Sequence, residues 1–599
     1  MASGWRARSD SPLLAFLTGG GRARFSSVPA PPGDRPHVAG LLAGAAEADI
    51  TPPPGMPKAG YSANAHDGAG FRTRLRARVL HLRAGTTSLA LVQCDLLGGS
   101  SVVHHLVARE LEASTDVPFA GLFIGATHTH AGPGQFLGTD FYNRFASNRG
   151  GFDPAYTQFL VEEIADACQR AVIARRPARL ALGRTDIWGL TRNRSLAPHV
   201  RNPEVGDKRT EPQRKFVAIN PWLYLLRADV ARDDGGHEPL AAVVVFSVHG
   251  TGISMHSADY NADVWAYLCG EIGDRVEQAH GCRPVVGAIQ GTHADVAPAI
   301  HPGLAGHLEA ARVGRGLGAE AALLYERLEA DLTDHLELGA GLREVNLDRA
   351  RGIDGIRLPT RPAVGAALVA GAHENTTPVI HRLPAFRPGR PKRWGSRGPQ
   401  GGKWVLGSKW LQPLVLPTTS FPRVLPLQVL RIGDAVLAGL PFELTVETGR
   451  RMQHRIADAV ADAGISQVIV SSVANEYSGY ATTPEEYALQ HYEGGHTLYG
   501  PMTQPFLTAH VARLAAEVAA SSLIQDVLAE RTFDLRAHRY LPVPEARPAP
   551  RRIGGPAAFT DPTHDVDGYW ELTWLDAAPA NLSWHSPLVR VEAADGDDS

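Results

Sequence analysis

The run Leu-Ala-Ala-Val-Val-Val-Phe-Ser-Val at 240–248, followed at once by His249-Gly250-Thr251, decides the fold class. A strand with one wet face alternates polar and apolar residues, so a near-continuous apolar run reads as a central strand covered on both sides. Working outward, the same pattern recurs. An apolar strand at 121–126 runs into Thr127-His128-Thr129-His130-Ala131-Gly132-Pro133-Gly134. A third at 284–289 ends at Gln290-Gly291-Thr292-His293-Ala294-Asp295, and a fourth at 435–440 ends at Pro441-Phe442-Glu443. The fifth, 467–473, leads to Asn475, Tyr477 and Tyr480. Residues 75–82 and 88–92 read as paired strands. Helices are expected at 102–111, 261–272, 309–332, 443–463 and 504–524. Another opens at Asp153-Pro154, where Asp accepts free N–H groups and Pro fits the first turn. Its stripe of Phe159, Leu160, Ile164, Cys168 and Ala171 faces a core. Strands interleaved with helices give an α/β core.

The chain has 599 residues, too many for one ordinary core, so a large domain with an appendage is expected. Residues 1–38 hold Arg, Ser, Gly and Pro around one short apolar run and read as a disordered leader or a targeting segment. Export and cytoplasmic residence both stay open. The main α/β domain spans 39–540, a Pro-rich linker 541–556, and a tail with short strands at 569–575 and 588–592 fills 557–599. A formal net charge of -3 provides no field to recruit nucleic acid. No stretch approaches the roughly 20 apolar residues of a membrane-spanning helix. Cys94, Cys168, Cys269 and Cys282 are scattered and form no disulfide framework. Residues 386–410, dense in Pro, Gly, Arg, Lys and Trp, read as a long exposed loop. Its basic residues form a solvated face, or else a lid or a surface that meets lipid headgroups.

The five strand ends matter because ligands bind at the C-terminal edges of strands in α/β sheets. Two histidines and a carboxylate from separate strand ends match a His/His/Glu zinc site that leaves a position open for water. Each piece also has a plainer reading. The two histidines of the Gly/Pro loop can be satisfied polar side chains. Glu443 can be a residue favoured by a helix dipole, and Tyr477 and Tyr480 can be packing aromatics.

Taken in order, the segments resemble the neutral (non-lysosomal) ceramidase family, whose members hydrolyse the amide of N-acylsphingosine. The matching pieces are Ala46-Asp49-Ile50-Thr51 with Gly60-Tyr61, Thr73 to Arg78, the THTHAGPG loop at 127–134, and Asn193-Arg194-Ser195. His249-Gly250-Thr251, Gln290 with Asp295-Val296 and Pro298, and Pro441 with Glu443 and Thr445 follow. Gly449-Arg450-Arg451 comes next, and the block from Thr483-Pro484-Glu485-Glu486-Tyr487 through Tyr492-Glu493-Gly494 to Gly500 is the most specific. The resemblance covers roughly 40–590. It implies an N-acylsphingosine amidohydrolase with one zinc held by His128, His249, Glu443 and Tyr480. His130 and Arg194 would then face the polar head of a lipid substrate, with Tyr492 nearby as a hydrogen-bonding group and Gln290 also on the substrate side. In a zinc-hydroxide route Tyr480 stands near the oxyanion and His130 is the proton-transfer candidate. It also implies a small C-terminal immunoglobulin-like β domain, which the short tail would carry in reduced form. Peripheral contact with a membrane or micelle, and a further calcium or magnesium ion, stay open.

Two positions depart from the family: Gly252 stands where the family tends to have Ser, and Gly291 is the departure that matters more. In the family the strand ending at Gln290 is followed by Ser-Asn, with the Ser acting at the scissile carbonyl; here Gly291-Thr292 follows. Thr292 is adjacent, but neighbours in extended chain point to opposite sides, so it substitutes only if the backbone turns. Zinc lowers the pKa of bound water from 15.7 to about 7 and polarises a carbonyl, so amide hydrolysis does not require the serine. With Gly291, a different N-acyl amide or a non-catalytic lipid-binding role are the alternatives.

Overall fold

Strand pairing sorts the apolar runs into two sheets. In the computed structural model, which describes residues 6–8, 21–393, 398–540, 552–562 and 568–575, β1 (Arg22–Ser27) pairs antiparallel with Arg531–Arg536. One sheet has eight strands: β2 (Val38–Asp49), β3 (Arg76–Gly85), β4 (Thr87–Cys94), β5 (Leu122–Ala126), β6 (Arg176–Asp186), β7 (Trp222–Ala231), β8 (His237–Phe246) and β9 (Val285–Gln290). Their spatial order is β9-β8-β7-β6-β2-β3-β4-β5. The other has five: β10 (Leu338–Asn346), β11 (Val424–Ile432), β12 (Ala435–Gly439), β13 (Gln467–Ser471) and β14 (Leu523–Asp526), in order β13-β12-β11-β10-β14. Both sheets are mixed, with parallel pairs at β8/β9, β4/β5 and β12/β13.

The continuous apolar runs have a plain cause. One face of each sheet meets the other sheet, where Leu80, Leu91, Phe123, Tyr224 and Val243 pack in one core with Leu430, Leu437 and Ile469. The opposite faces meet helices. Alongside α1 (Ser101–Glu112), α2 (Pro154–Ile173) packs over β2 and β3. α3 (Val264–His280) and α4 (Leu304–Arg327) share a core with β7, β8 and β9. α5 (Val446–Ala459) packs on β13, and α6 (Thr503–Ala520) on β10 and β11. Burying each large apolar side chain contributes about 1.5–3 kcal/mol, so the double layer is the main source of stability. The α/β class is as read. The five informative strands, however, are divided between two sheets whose ends meet.

Several local expectations are corrected. The leader expected over 1–38 does not run that far, because β1 is a paired strand with Ala23 and Ser27 buried. The helix expected from 443 starts at Val446, since Glu443–Leu444 pairs parallel with Tyr480–Ala481. The helix expected to run to 524 ends at Ala520, and β14 takes over beside β10. The helix at Asp153 is capped as read, with the Asp153 carboxylate accepting from the backbone N–H groups of Ala155 and Tyr156. In the basic loop Trp410 is exposed, but Lys403 is not on a solvated face: it is buried and its Nζ donates to the carbonyls of Ala363 and Thr497.

Among the described residues beyond 551, two short antiparallel pairs form, Arg552–Ile553 with Trp574–Leu575 and Ala558–Thr560 with Tyr569–Glu571. Most of the tail expected to carry the immunoglobulin-like domain, including the strand at 588–592, lies outside the described residues. No described helix is long and apolar enough to cross a membrane.

Candidate metal centre and active site

Strand pairing alone brings the predicted ligands together. β5 delivers the loop of His128 and β8 that of His249; the loops join through a bridge between Thr129 and Gly250, with the His130 N–H donating to the Gly250 carbonyl. Gly250 is required at this contact, because a Cβ there would stand 2.7 Å from the His128 carbonyl oxygen. His128 itself has φ +58. That left-handed conformation costs a side-chain-bearing residue about 1 kcal/mol or more, and its Nδ1, 2.5 Å from the Leu97 carbonyl, holds the ring against it. Glu443 arrives from β12, its backbone N–H donating to the Gly479 carbonyl in the pairing that also sets Tyr480.

The result is a buried cluster of His128, His249, His293 and Glu443 whose donor atoms all lie within 4.8 Å of one another. Glu443 Oε2 is 3.3 Å from His128 Nε2, 3.1 Å from His249 Nε2 and 3.6 Å from His293 Nε2. Ligand atoms about 2.0–2.1 Å from a tetrahedral zinc stand roughly 3.3 Å apart, close to the distances from Glu443 Oε2 to the three imidazoles. Neither Glu443 Oε2 nor His293 Nε2 has a hydrogen-bond partner, a costly state for buried polar atoms. Burial, with the nearby Arg194 charge, pushes His249 well below its usual pKa, and burial beside His128 takes His293 down to about 4. Burial pushes the Glu443 carboxyl up, but the surrounding imidazoles, His128 foremost, outweigh it and hold the group well below the carboxylate range. Imidazoles gathered around an ionised carboxylate form a donor set for a divalent cation.

The ligands are oriented from behind. His249 Nδ1 donates to the His293 carbonyl at 2.8 Å, and Tyr477 donates to Glu443 Oε1 at 2.5 Å. Such outer partners fix ring orientation and ligand basicity.

The cluster opens into a cavity of about 530 Å³. His128, His130, Glu443, Tyr480, Arg194 and Tyr492 are among its polar lining residues, and Phe141, Leu368, Val369, Leu406 and Leu416 among its apolar ones. Arg194 Nη2 donates to the Tyr480 hydroxyl at 3.1 Å, its Nε to Glu493 at 3.3 Å, and the guanidinium lies 5.6 Å from the Tyr492 ring centre. Burial beside His128 and His249 keeps the His130 imidazole well below its usual pKa, and its Nδ1 has no hydrogen-bond partner.

Two predicted residues are elsewhere. Thr292 turns away: its Oγ1 accepts from Asn220 Nδ2, and its methyl packs against Gly449. The chain bends at Thr292 without bringing its hydroxyl to the cluster, and the neighbour that does reach it is His293. Gln290 does not line the cavity either. Its Nε2 donates to the carbonyls of Thr127 and Val248, stitching together the strands that carry His128 and His249. Tyr480 is close but at the edge, its hydroxyl 3.5 Å from His249 Nε2. His293 and Tyr477 are the residues sequence reasoning missed. A histidine in the loop after an apolar strand was the available signal for the first, and nothing in the sequence separates Tyr477 from a packing aromatic.

A family model described as neutral/alkaline non-lysosomal ceramidase, N-terminal, matches residues 41–307 and 406–509. The chain is 29% identical over 517 residues to a neutral ceramidase of Pseudomonas aeruginosa, covering 80% of this chain and 71% of the relative. It is 29% identical over 492 residues to a neutral ceramidase of Mycobacterium tuberculosis, covering 76% and 73%. The crystal structure of the Pseudomonas aeruginosa neutral ceramidase superposes with a TM-score of 0.67 at 27% identity, over 82% of this chain and 76% of that one. A ceramidase complexed with C2 superposes with a TM-score of 0.70 at 25% identity, over 87% and 82%.

Proposed function

The chain belongs to the neutral/alkaline non-lysosomal ceramidase family, and from that premise we propose that it hydrolyses the N-acyl amide of ceramide to a sphingoid base and a fatty acid. The observation that carries the reading is the opening of a His/Glu cluster into a cavity whose lining combines polar groups with apolar side chains. An amphiphile with its amide at the cluster and its chains along Phe141, Leu368, Leu406 and Leu416 fits that layout.

His128, His249 and Glu443 would hold a zinc ion, and the unpaired Glu443 Oε2 fits that assignment. Bound there, zinc supplies Lewis acidity and a water of lowered pKa. The protein's own groups do the rest. Tyr480 donates a hydrogen bond where negative charge grows on the amide oxygen, and the Arg194 guanidinium keeps that hydroxyl in place. His130, neutral because it is buried, exchanges a proton with the leaving amine through a ring that lines the cavity. Arg194 and Tyr492 meet the head-group hydroxyls. Val379, Trp410, Leu411, Leu414 and Val415 are exposed in segments flanking the cavity-lining Thr377, Leu406 and Leu416, a surface suited to lipid contact.

Gly291 supports a second reading, an N-acyl amide lipid other than ceramide, because the position of the family serine holds no side chain. Release of fatty acid from ceramide by purified protein, with and without chelator, separates them. Chelator-sensitive release is expected. Turnover of other N-acyl amides with none of ceramide would overturn the first reading in favour of the second.

A further inference from the structure

Resting on the metal reading above, we propose that His293 is a metal ligand in this chain, so that the donor set is His128, His249, His293 and Glu443, with Tyr480 outside it. Three observations carry this. His293 Nε2 is fully buried, unpaired, and 3.6 Å from the equally unpaired Glu443 Oε2. Its ring centre is 4.6 Å from that of His128 and 4.8 Å from that of His249, so the three imidazoles surround one point. Its backbone is pinned independently of the ring: the His293 carbonyl accepts from His249 Nδ1 and from the Val296 N–H, and the next N–H, of Ala294, donates to Leu444.

Position decides between His293 and Tyr480. His293 does not line the cavity and approaches the cluster from the protein interior, whereas Tyr480 lines the cavity and its oxygen already accepts from Arg194. An imidazole lone pair is the ordinary zinc donor, and a neutral phenol is not among the usual ones. A donor on the closed side leaves the cavity side open for water and substrate and frees Tyr480 for hydrogen bonding. The same loop places Gly291 where the family has serine, so the loop's chemistry moves from a hydroxyl to an imidazole two residues on.

The test uses full-length metal-free protein titrated with zinc against a chromogenic chelator, for wild type, His128→Ala, His293→Ala, His293→Asn and Tyr480→Phe. Loss of an outer partner typically weakens binding about 10–100-fold. His293→Ala and His293→Asn are expected to weaken zinc by about 100-fold or more, and Tyr480→Phe by less than about threefold. X-ray absorption of the zinc-loaded wild type is expected to count three imidazoles. That measurement decides alone if the His293 variants fail to fold. Two imidazoles, or His293 variants that bind zinc like wild type while His128→Ala does not, overturn the inference and leave the metal reading intact. Unchanged binding in His128→Ala overturns the metal reading itself.

Discussion

Tyr477 holds Glu443 from behind the cluster, its hydroxyl donating to Glu443 Oε1 at 2.5 Å while Oε2 faces the imidazoles. One carboxylate oxygen is thus reserved for orientation and the other for a ligand. Tyr477→Phe keeps the ring, which packs edge-on against Tyr142 with centres 4.5 Å apart, and removes only the hydroxyl. The expected result is a zinc affinity about 10–100-fold weaker, with ceramide hydrolysis recovered at high free zinc. Activity against free zinc concentration reads it, and an unchanged half-saturation refutes the role.

Thr292 lies one residue from His293 and contributes nothing to the cavity. Thr292→Val keeps the shape against Gly449 and removes the contact from Asn220, so kcat/KM is expected to stay within about threefold, or about 0.6 kcal/mol. Gly449→Ala is the contrasting case, since a Cβ there would come within 2.1 Å of Thr292 Cγ2. Overpacking of this kind costs about 1–3 kcal/mol, to be read as a lower unfolding midpoint.

Restoring the family serine is not a one-residue change. A Cβ on Gly291 would lie 2.5 Å from Ser247 Oγ, which already accepts from the Thr292 N–H. Gly291→Ser alone is expected to destabilise by about 1–3 kcal/mol without raising turnover. Gly291→Ser with Ser247→Gly relieves the clash but leaves the buried Thr292 N–H without its acceptor, so it is expected to stay below wild type in stability. Equal melting temperatures for wild type and the single variant would show that the loop absorbs the side chain.

How far the sequence carried the site depended on backbone direction. His128, His249 and Glu443 were legible because each ends an apolar strand, and the double burial of residues 240–248 showed that a sheet would gather them. That two sheets meet was not legible, because a run apolar on both faces looks the same whether helices or a second sheet cover it. Gln290 was misread for a related reason: a polar side chain at a strand end serves equally to bind substrate or to tie neighbouring carbonyls. The strand at 22–27 was hidden by its arginines, which alternate with the inward-facing Ala23, Phe25 and Ser27.

That strand is held by a buried network whose pH dependence is predictable. Ser27 Oγ lies 3.2 Å from His105 Nδ1; His105 Nε2 lies 3.1 Å from Glu344 Oε1, and Arg531 Nη1 donates to the same oxygen at 2.9 Å. Burial pushes His105 below its usual pKa. The ring is therefore neutral at pH 7, donating from Nε2 to the carboxylate and accepting the Ser27 hydroxyl at Nδ1. Burial pushes Glu344 up, but the hydrogen bond from His105 and the charge of Arg531 outweigh it and hold the carboxyl at about 2, down from 4.5. A carboxylate depressed in the folded state stabilises fully above its unfolded pKa and loses that contribution as pH falls toward the folded one. The window therefore runs from about 4.5 down to about 2, and at about 1.4 kcal/mol per unit the contribution at neutral pH is about 3 kcal/mol. Metal-free Glu344→Gln is expected to be less stable than metal-free wild type by about that amount at pH 7, and by clearly less at pH 3. Urea unfolding of both proteins at the two pH values measures it. A difference that does not shrink at pH 3 would mean that Glu344 acts through packing rather than charge.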